Sequence, residues 1–203
     1  QHAAFLREVK HDPSLPKEVI DWFTTLPLWL DLPSLRVVHA CWHDGYMQKL
    51  KPHLSALNQL TPELMVSSSR SGGMEFITVE GLTKGLEVRL PEGHSFADKD
   101  RHTPHNVRIR WWEAEAHTYR HLALMPPEDR ARLPDIPLET DSRSPYDNTK
   151  PVFFGHYWMT GAPQTQTPTI ACVDYSAAKD GPLVAYRWDG ESALNNKNFQ
   201  MVG

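Results

Sequence analysis

Apolar residues in this chain fall into short runs, punctuated by proline, glycine and charge. Residues 2–10 set Phe5, Leu6 and Val9 on one face at helical spacing, and Asp12-Pro13 ends that segment. A second helix is predicted over 16–25, with Pro16 early, Val19, Ile20 and Phe23 inward, and Pro27 as the stop. Residues 35–40 are apolar apart from Arg36 and read as a buried strand with His39 close to its end. Residues 46–66 have a helical pattern broken by Pro52 and Pro62, and the small residues of 67–73 form a hinge candidate. In 74–84, Phe76, Val79 and Leu82 fit a helix capped by Gly85, while β-branched Ile77, Thr78 and Val79 would also suit a strand. Strands are predicted at 87–90 and 107–112, on either side of a charged loop, and a helix at 113–124. Residues 125–150 carry much Pro, Asp and Arg with little period, which predicts a long surface connection. Three strand-like runs close the chain at 151–158, 169–173 and 182–188.

Composition narrows the classes. A chain of 203 residues with 40% apolar content can bury a substantial core, and residues 1–203 are read as one α/β domain. With 21 basic and 25 acidic side chains the net charge is -4, so no nucleic-acid partner is expected. No run is long enough to cross a membrane and no leader pattern opens the chain, which predicts a cytoplasmic protein with no membrane partner. The chain opens at Gln1 inside a helical pattern, and an upstream segment is expected before it. Cys41 and Cys172 could pair, but their apolar settings favour isolated buried thiols.

Eleven histidines raise the question of metals. His39 ends one buried strand and His156, after Gly155, ends another. Ligands collect at the carboxyl edge of α/β sheets, so the pair is a candidate ligand set; core histidines satisfied by hydrogen bonds are the plainer alternative. His117 and His121, four apart in the predicted helix with Glu113 on the same face, would suit a helical zinc pair, or simply a solvated face. His43 and Asp44 are candidates for substrate or supporting contacts, whereas His94, His102 and His105 belong to the charged loop. No G-x-S-x-G, Walker A or dinucleotide glycine motif occurs.

Leu35-Arg36-Val37-Val38-His39-Ala40-Cys41-Trp42-His43 and Phe153-Phe154-Gly155-His156-Tyr157-Trp158 resemble the two later histidine motifs of calcineurin-like metallophosphoesterases. The nearest likeness is to the bacterial branch related to serine/threonine phosphatases and diadenosine tetraphosphatases. Ala171-Cys172-Val173-Asp174-Tyr175-Ser176 and the run from Gly181 to Trp188 resemble that branch's closing hairpin. The resemblance implies a sandwich of two mixed β-sheets flanked by helices, with two divalent metals (Mn, Fe or Zn) at the sheet edge. It implies that His39 and His156 bind one metal, and that a metal-bridging hydroxide attacks a phosphorylated substrate in line. Trp42, His43, Tyr157 and Trp158 flank those ligands as candidates to stack on a nucleobase or phenyl leaving group, or else, for at least two of them, as core wall; Arg36, Arg108 and Arg110 are phosphate partners if they face the site and otherwise pair with surface carboxylates. The family's earlier motifs, G-D-x-H-G, G-D-x-x-D-R-G and G-N-H-E, are absent, and Asp100-Arg101-His102 matches D-x-H without its glycines. Those motifs supply the other ligands, so the resemblance is to the downstream portion of such an enzyme, with an upstream segment as its partner. The alternative is a non-catalytic binding module that keeps the fold around an incomplete metal site.

Overall fold

The structure, a computed structural model, describes Arg7 and residues 14–92 and 105–203. The helix expected over 2–10 (Arg7 apart), His94 and the Asp100-Arg101-His102 triplet fall outside the described residues. The first continuous element is α1 (Leu15–Thr24), started by Pro16 in its first turn with Glu18 complementing the helix dipole. Its apolar stripe turns to solvent. Ile20, Trp22 and Phe23 are exposed and the helix buries no residue, contrary to the inward face expected of Val19, Ile20 and Phe23. A stripe at helical spacing requires a partner, but spacing alone does not say where that partner lies.

There follow β1 (Trp29–Asp31), β2 (Arg36–Val38), α2 (Asp44–Leu50), α3 (Pro62–Ser68) and α4 (Met74–Lys84). β3 (Glu87–Arg89) and β4 (Asn106–Arg108) pair antiparallel, and α5 (Tyr119–Leu122) and α6 (Pro127–Arg130) are single turns. The chain ends with β5 (Val152–Phe154), β6 (Ile170–Cys172), β7 (Leu183–Tyr186) and β8 (Phe199–Val202). The result is a mixed α/β fold. Its one mixed sheet has the order β1-β2-β5-β6, with β1 antiparallel to β2 and with β2, β5 and β6 parallel. The other two sheets are the antiparallel pairs β3-β4 and β7-β8, so no second mixed sheet forms among the described residues.

The three parallel strands are short and mostly buried, as near-continuous apolar runs require. On the sheet rests an aromatic cluster. Trp111 meets Phe154 edge-on at 5.3 Å between ring centroids, Trp112 meets Tyr157 at 5.2 Å, and Phe154 meets Tyr157 at 5.3 Å. Such edge-to-face pairs add about 0.5–1.5 kcal/mol each beyond area burial. Cys41 and Cys172 are buried and unpaired. The helical alternative prevails for 74–84: Leu82 and Thr78 are buried, and Gly85 closes α4 at φ 89°, a conformation that favours glycine. A side chain at Gly85 would also collide with the Tyr157 ring, which packs against that backbone. Ser67 and Ser68 finish α3 and Gly73 caps α4, so only 69–73 remain of the expected hinge.

Two other expectations change. The helix predicted at 113–124 shrinks to the four residues of α5, beginning at the Thr118 cap. The Arg143 guanidinium donates to the carbonyls of Glu113 and Ala116 at 2.6 and 2.7 Å, and the Glu113 carbonyl also accepts from the Ala116 amide, three residues on, in a turn that does not continue as a helix. The 125–150 connection is packed in places: Leu133 and Tyr146 are buried, and Tyr146 anchors Arg36. No helix among the described residues is long and apolar enough to cross a membrane.

Candidate metal centre

The three parallel strands stop in step, and each is followed at the same edge by a side chain that can ligate or orient. His39 is the residue after β2, His156 the second after β5, and Asp174 the second after β6. Asp174 stands beside the start of the turn that carries His156, its Cβ 3.5 Å from where a side chain on Gly155 would begin. The Gly155 amide donates to the His39 carbonyl at 2.9 Å and so joins the first two strand ends. The Met159 amide donates to the Asp174 carbonyl at 2.9 Å and joins the second to the third. From behind, the Leu82 carbonyl at the end of α4 accepts from the Ala40 and Cys41 amides, and the Trp111 indole donates to the Ala40 carbonyl. These ties fix the backbone on both sides of His39.

The His39 and His156 rings face one another with centroids 5.2 Å apart. Neither imidazole makes a side-chain hydrogen bond to a described residue. His156 has φ 63° and Trp158 has φ 48°, left-handed conformations that cost a bulky residue of order 1–3 kcal/mol. Three anchors hold this turn: the amide ties of Gly155 and Met159, and buried Tyr157, whose hydroxyl donates to the Ile109 carbonyl at 3.2 Å. Arg108 adds a fourth, donating from Nη1 to the His156 carbonyl at 3.1 Å while lying over the Tyr157 ring. Its Nε is buried without a partner among the described residues.

Electrostatics keep both imidazoles unprotonated at neutral pH. Burial pulls His156 down to about 4, helped by the charge of Arg108 and by His39 and opposed by Asp174. His39 is exposed as a residue, yet the protein around its ring lowers its proton affinity too, again against Asp174. A neutral imidazole with an unshared ring nitrogen is the form that binds a transition metal. Two imidazoles are only part of a ligand set, since such ions take about four or more donors. Among the described residues no group of three or more His, Cys, Asp or Glu converges closely enough to hold an ion. Asp174 supplies charge to both rings, while its Oδ1 accepts from the Ser176 amide at 3.0 Å.

The other candidate residues separate clearly. His43 is 6% exposed and spends both ring nitrogens within the chain: Nδ1 accepts from the Tyr46 amide at the start of α2, and Nε2 lies 2.7 Å from the Ser142 carbonyl. Trp42 is buried under Arg36, its indole donating to Asp44, and Tyr157 is buried in the aromatic cluster. All three therefore serve the core, and their expected substrate contacts have no exposed surface to occur on. Arg36 is held by Asp147, Asp31 and Tyr146, and Arg110 by Glu113 and the His121 carbonyl, so of the three arginines only Arg108 reaches the site.

His117 precedes α5 and shares no helical face with His121, whose Nδ1 instead pairs with Thr118 and lies 3.5 Å from Asp135; the helical zinc pair is not assembled. His105 is exposed, as expected of the charged loop. Cys41 is wholly buried and its thiol is pushed well up, which leaves no nucleophile there. Asp174 is the neighbour that sequence reasoning did not single out, whereas Trp158, 51% exposed, is the one aromatic candidate among the four that keeps open surface. Asp174 follows a third buried apolar run just as the two histidines follow theirs, and the same strand-end rule would have selected it. Comparison of the chain with protein-family models, with curated proteins and with solved structures finds no match to any of them.

Proposed function

We propose that this chain contributes His39 and His156 as ligands to a divalent-metal centre that hydrolyses phosphoric esters. The observation that carries the reading is the pair itself: two neutral, unshared imidazoles 5.2 Å apart at the ends of adjacent parallel strands. The donor chemistry fits Mn, Fe or Zn, and it fits part of the ligand set of one ion of a dinuclear centre. Bound there, two such ions would polarise a phosphoryl oxygen and lower the pKa of a water for in-line attack. The chain's own part is to aim the rings. The ties at Gly155 and Met159 set their spacing, Arg108 holds the His156 backbone, and Asp174 offers a negative charge that favours cation binding. The remaining donors would come from a polypeptide segment beyond the described residues, supplying carboxylates as the resemblance implies.

The test is metal content by native mass spectrometry, with hydrolysis of p-nitrophenyl phosphate as a second readout. His39→Ala and His156→Ala should each lose metal and activity while still folding. Wild-type metal content and turnover in His156→Ala would sink the proposal. The second reading is a binding module without catalysis, favoured by the lack of a third converging donor among the described residues. It predicts a folded protein that takes up no metal and hydrolyses no ester, however much manganese or zinc is supplied.

A further inference from the structure

Beside the histidine pair stands an aromatic surface that the core does not cover. Trp158 is 51% exposed, although its turn is anchored on either side, by buried Tyr157 and by the Met159–Asp174 hydrogen bond. Its ring lies 6.0 Å from that of His156, on the same edge of the sheet. Residues 156 and 158 are both left-handed, flanking an inward Tyr157, so the backbone accepts strain twice to turn these two rings outward together. Packing does not explain that strain, because half of the Trp158 surface remains in water. The charges around it are mixed: Asp174 bears on His156, and Lys84 and Arg108 are met by Glu80 at 2.7 Å and Glu87 at 4.0 Å, but a cation lies over the indole itself. Lys179 Nζ sits 4.4 Å from the Trp158 ring centroid, and Arg108 and Lys84 both bear electrostatically on His156. An electron-rich ring next to fixed positive charge suits a ligand with a flat π-face at one end and an anion at the other.

We infer that Trp158 is a stacking platform that selects phosphoesters carrying a planar aromatic group. Nucleotides and aryl phosphates share that chemistry. This rests on the phosphoesterase reading for the role of the site, but the binding it predicts does not require metal. The aromatic group would lie on the open part of the indole, its phosphate directed toward His156 and the charges of Arg108 and Lys179.

The experiment is a titration of the metal-free chain, 15N-labelled at tryptophan, with millimolar adenosine 5′-monophosphate, phenyl phosphate, ribose 5-phosphate and inorganic phosphate. The Trp158 indole resonance, assigned by its loss in Trp158→Phe, should shift with adenosine 5′-monophosphate and with phenyl phosphate far more than with the two non-aromatic anions. A shift with adenosine 5′-monophosphate alone restricts the class to nucleotides, and a shift with phenyl phosphate alone to aryl phosphates; each supports the platform. Trp158→Ala should weaken aromatic ligands about tenfold or more while Trp158→Phe keeps most of the affinity, the scale of losing one base–aromatic stack. Equal shifts of that resonance with all four ligands, or none with any, in the wild-type protein would overturn the inference. Because no metal is present, this failure is separate from that of the ligand assignment, which is read by metal content in His39→Ala and His156→Ala.

Discussion

His39 and His43 lie on the same connection, four residues apart, yet one ring is held out and the other locked in. His43 is buried, stacked on Tyr46 with ring centroids 3.7 Å apart, and both its nitrogens are committed. Among the described residues the His39 ring meets that of His156 and makes no side-chain hydrogen bond. What separates them is where the backbone stops being a strand. His39 is the residue after β2, where the sheet edge leaves side chains uncovered, whereas His43 caps the next helix and is covered by the 125–150 connection. A histidine beside a ligand is thus not thereby part of the site; a free ring nitrogen is the better criterion.

The largest effect should come from below both histidines. Tyr157→Ala removes the ring that seats the 156–158 turn and should cost about 3–5 kcal/mol in urea unfolding, as large core truncations do. Less than about 1 kcal/mol would mean that the turn holds itself and that the aromatic cluster is incidental to the site.

Next comes the comparison itself. His43→Ala loses a helix cap and strands the Ser142 carbonyl, for about 1–3 kcal/mol. His39→Ala should stay within about 0.5 kcal/mol, as substitutions outside packed features do. Equal losses at the two positions would erase the distinction between a structural and an available histidine.

Proton linkage gives a smaller, pH-dependent signature. His156 titrates at about 4 when folded and near the ordinary 6.5 when unfolded, so the unfolded chain binds more protons between those values. Its contribution is therefore fully present above pH 6.5 and is lost as pH falls toward 4, with a slope of at most about 1.4 kcal/mol per pH unit. The metal-free protein should show this in the carbon-bound ring proton of His156, with a midpoint near 4. A midpoint near 6.5 would mean that the ring is solvated and not held neutral by its surroundings.

Smallest of all should be the polar replacement of α1. Ile20→Ser with Phe23→Ser should change stability by no more than about 0.5 kcal/mol in the isolated chain, because neither side chain is buried.

The parallel strands could be read from sequence because burial on both faces writes itself as a continuous apolar run, as in Val37-Val38 and Val152-Phe153-Phe154. The strand-end rule then found His39 and His156 from those runs alone, and it would have found Asp174. What sequence could not show is settled at long range. In place of a helix over its first residues, 113–124 has turns tied by Arg143, some 30 residues on, which donates to the Glu113 and Ala116 carbonyls. His43 looked available because its partner, Ser142, lies 99 positions away. For α1 the pattern revealed a stripe correctly but not the side it would face. The family resemblance rests on motif residues that do lie together, and its metals and chemistry stand as proposals.

The two buried thiols turn the fold into its own reporter. Cys41 follows closely on His39 and Cys172 ends β6, so each sits under one flank of the edge where the candidate ligands stand. Burial lifts the Cys172 thiol to about 12 and pushes the Cys41 thiol well above the ordinary range, so neither should meet an alkylating reagent while the edge is closed. Labelling at either position then times the opening of that edge, and labelling both in parallel tells whether its two flanks open together or one before the other.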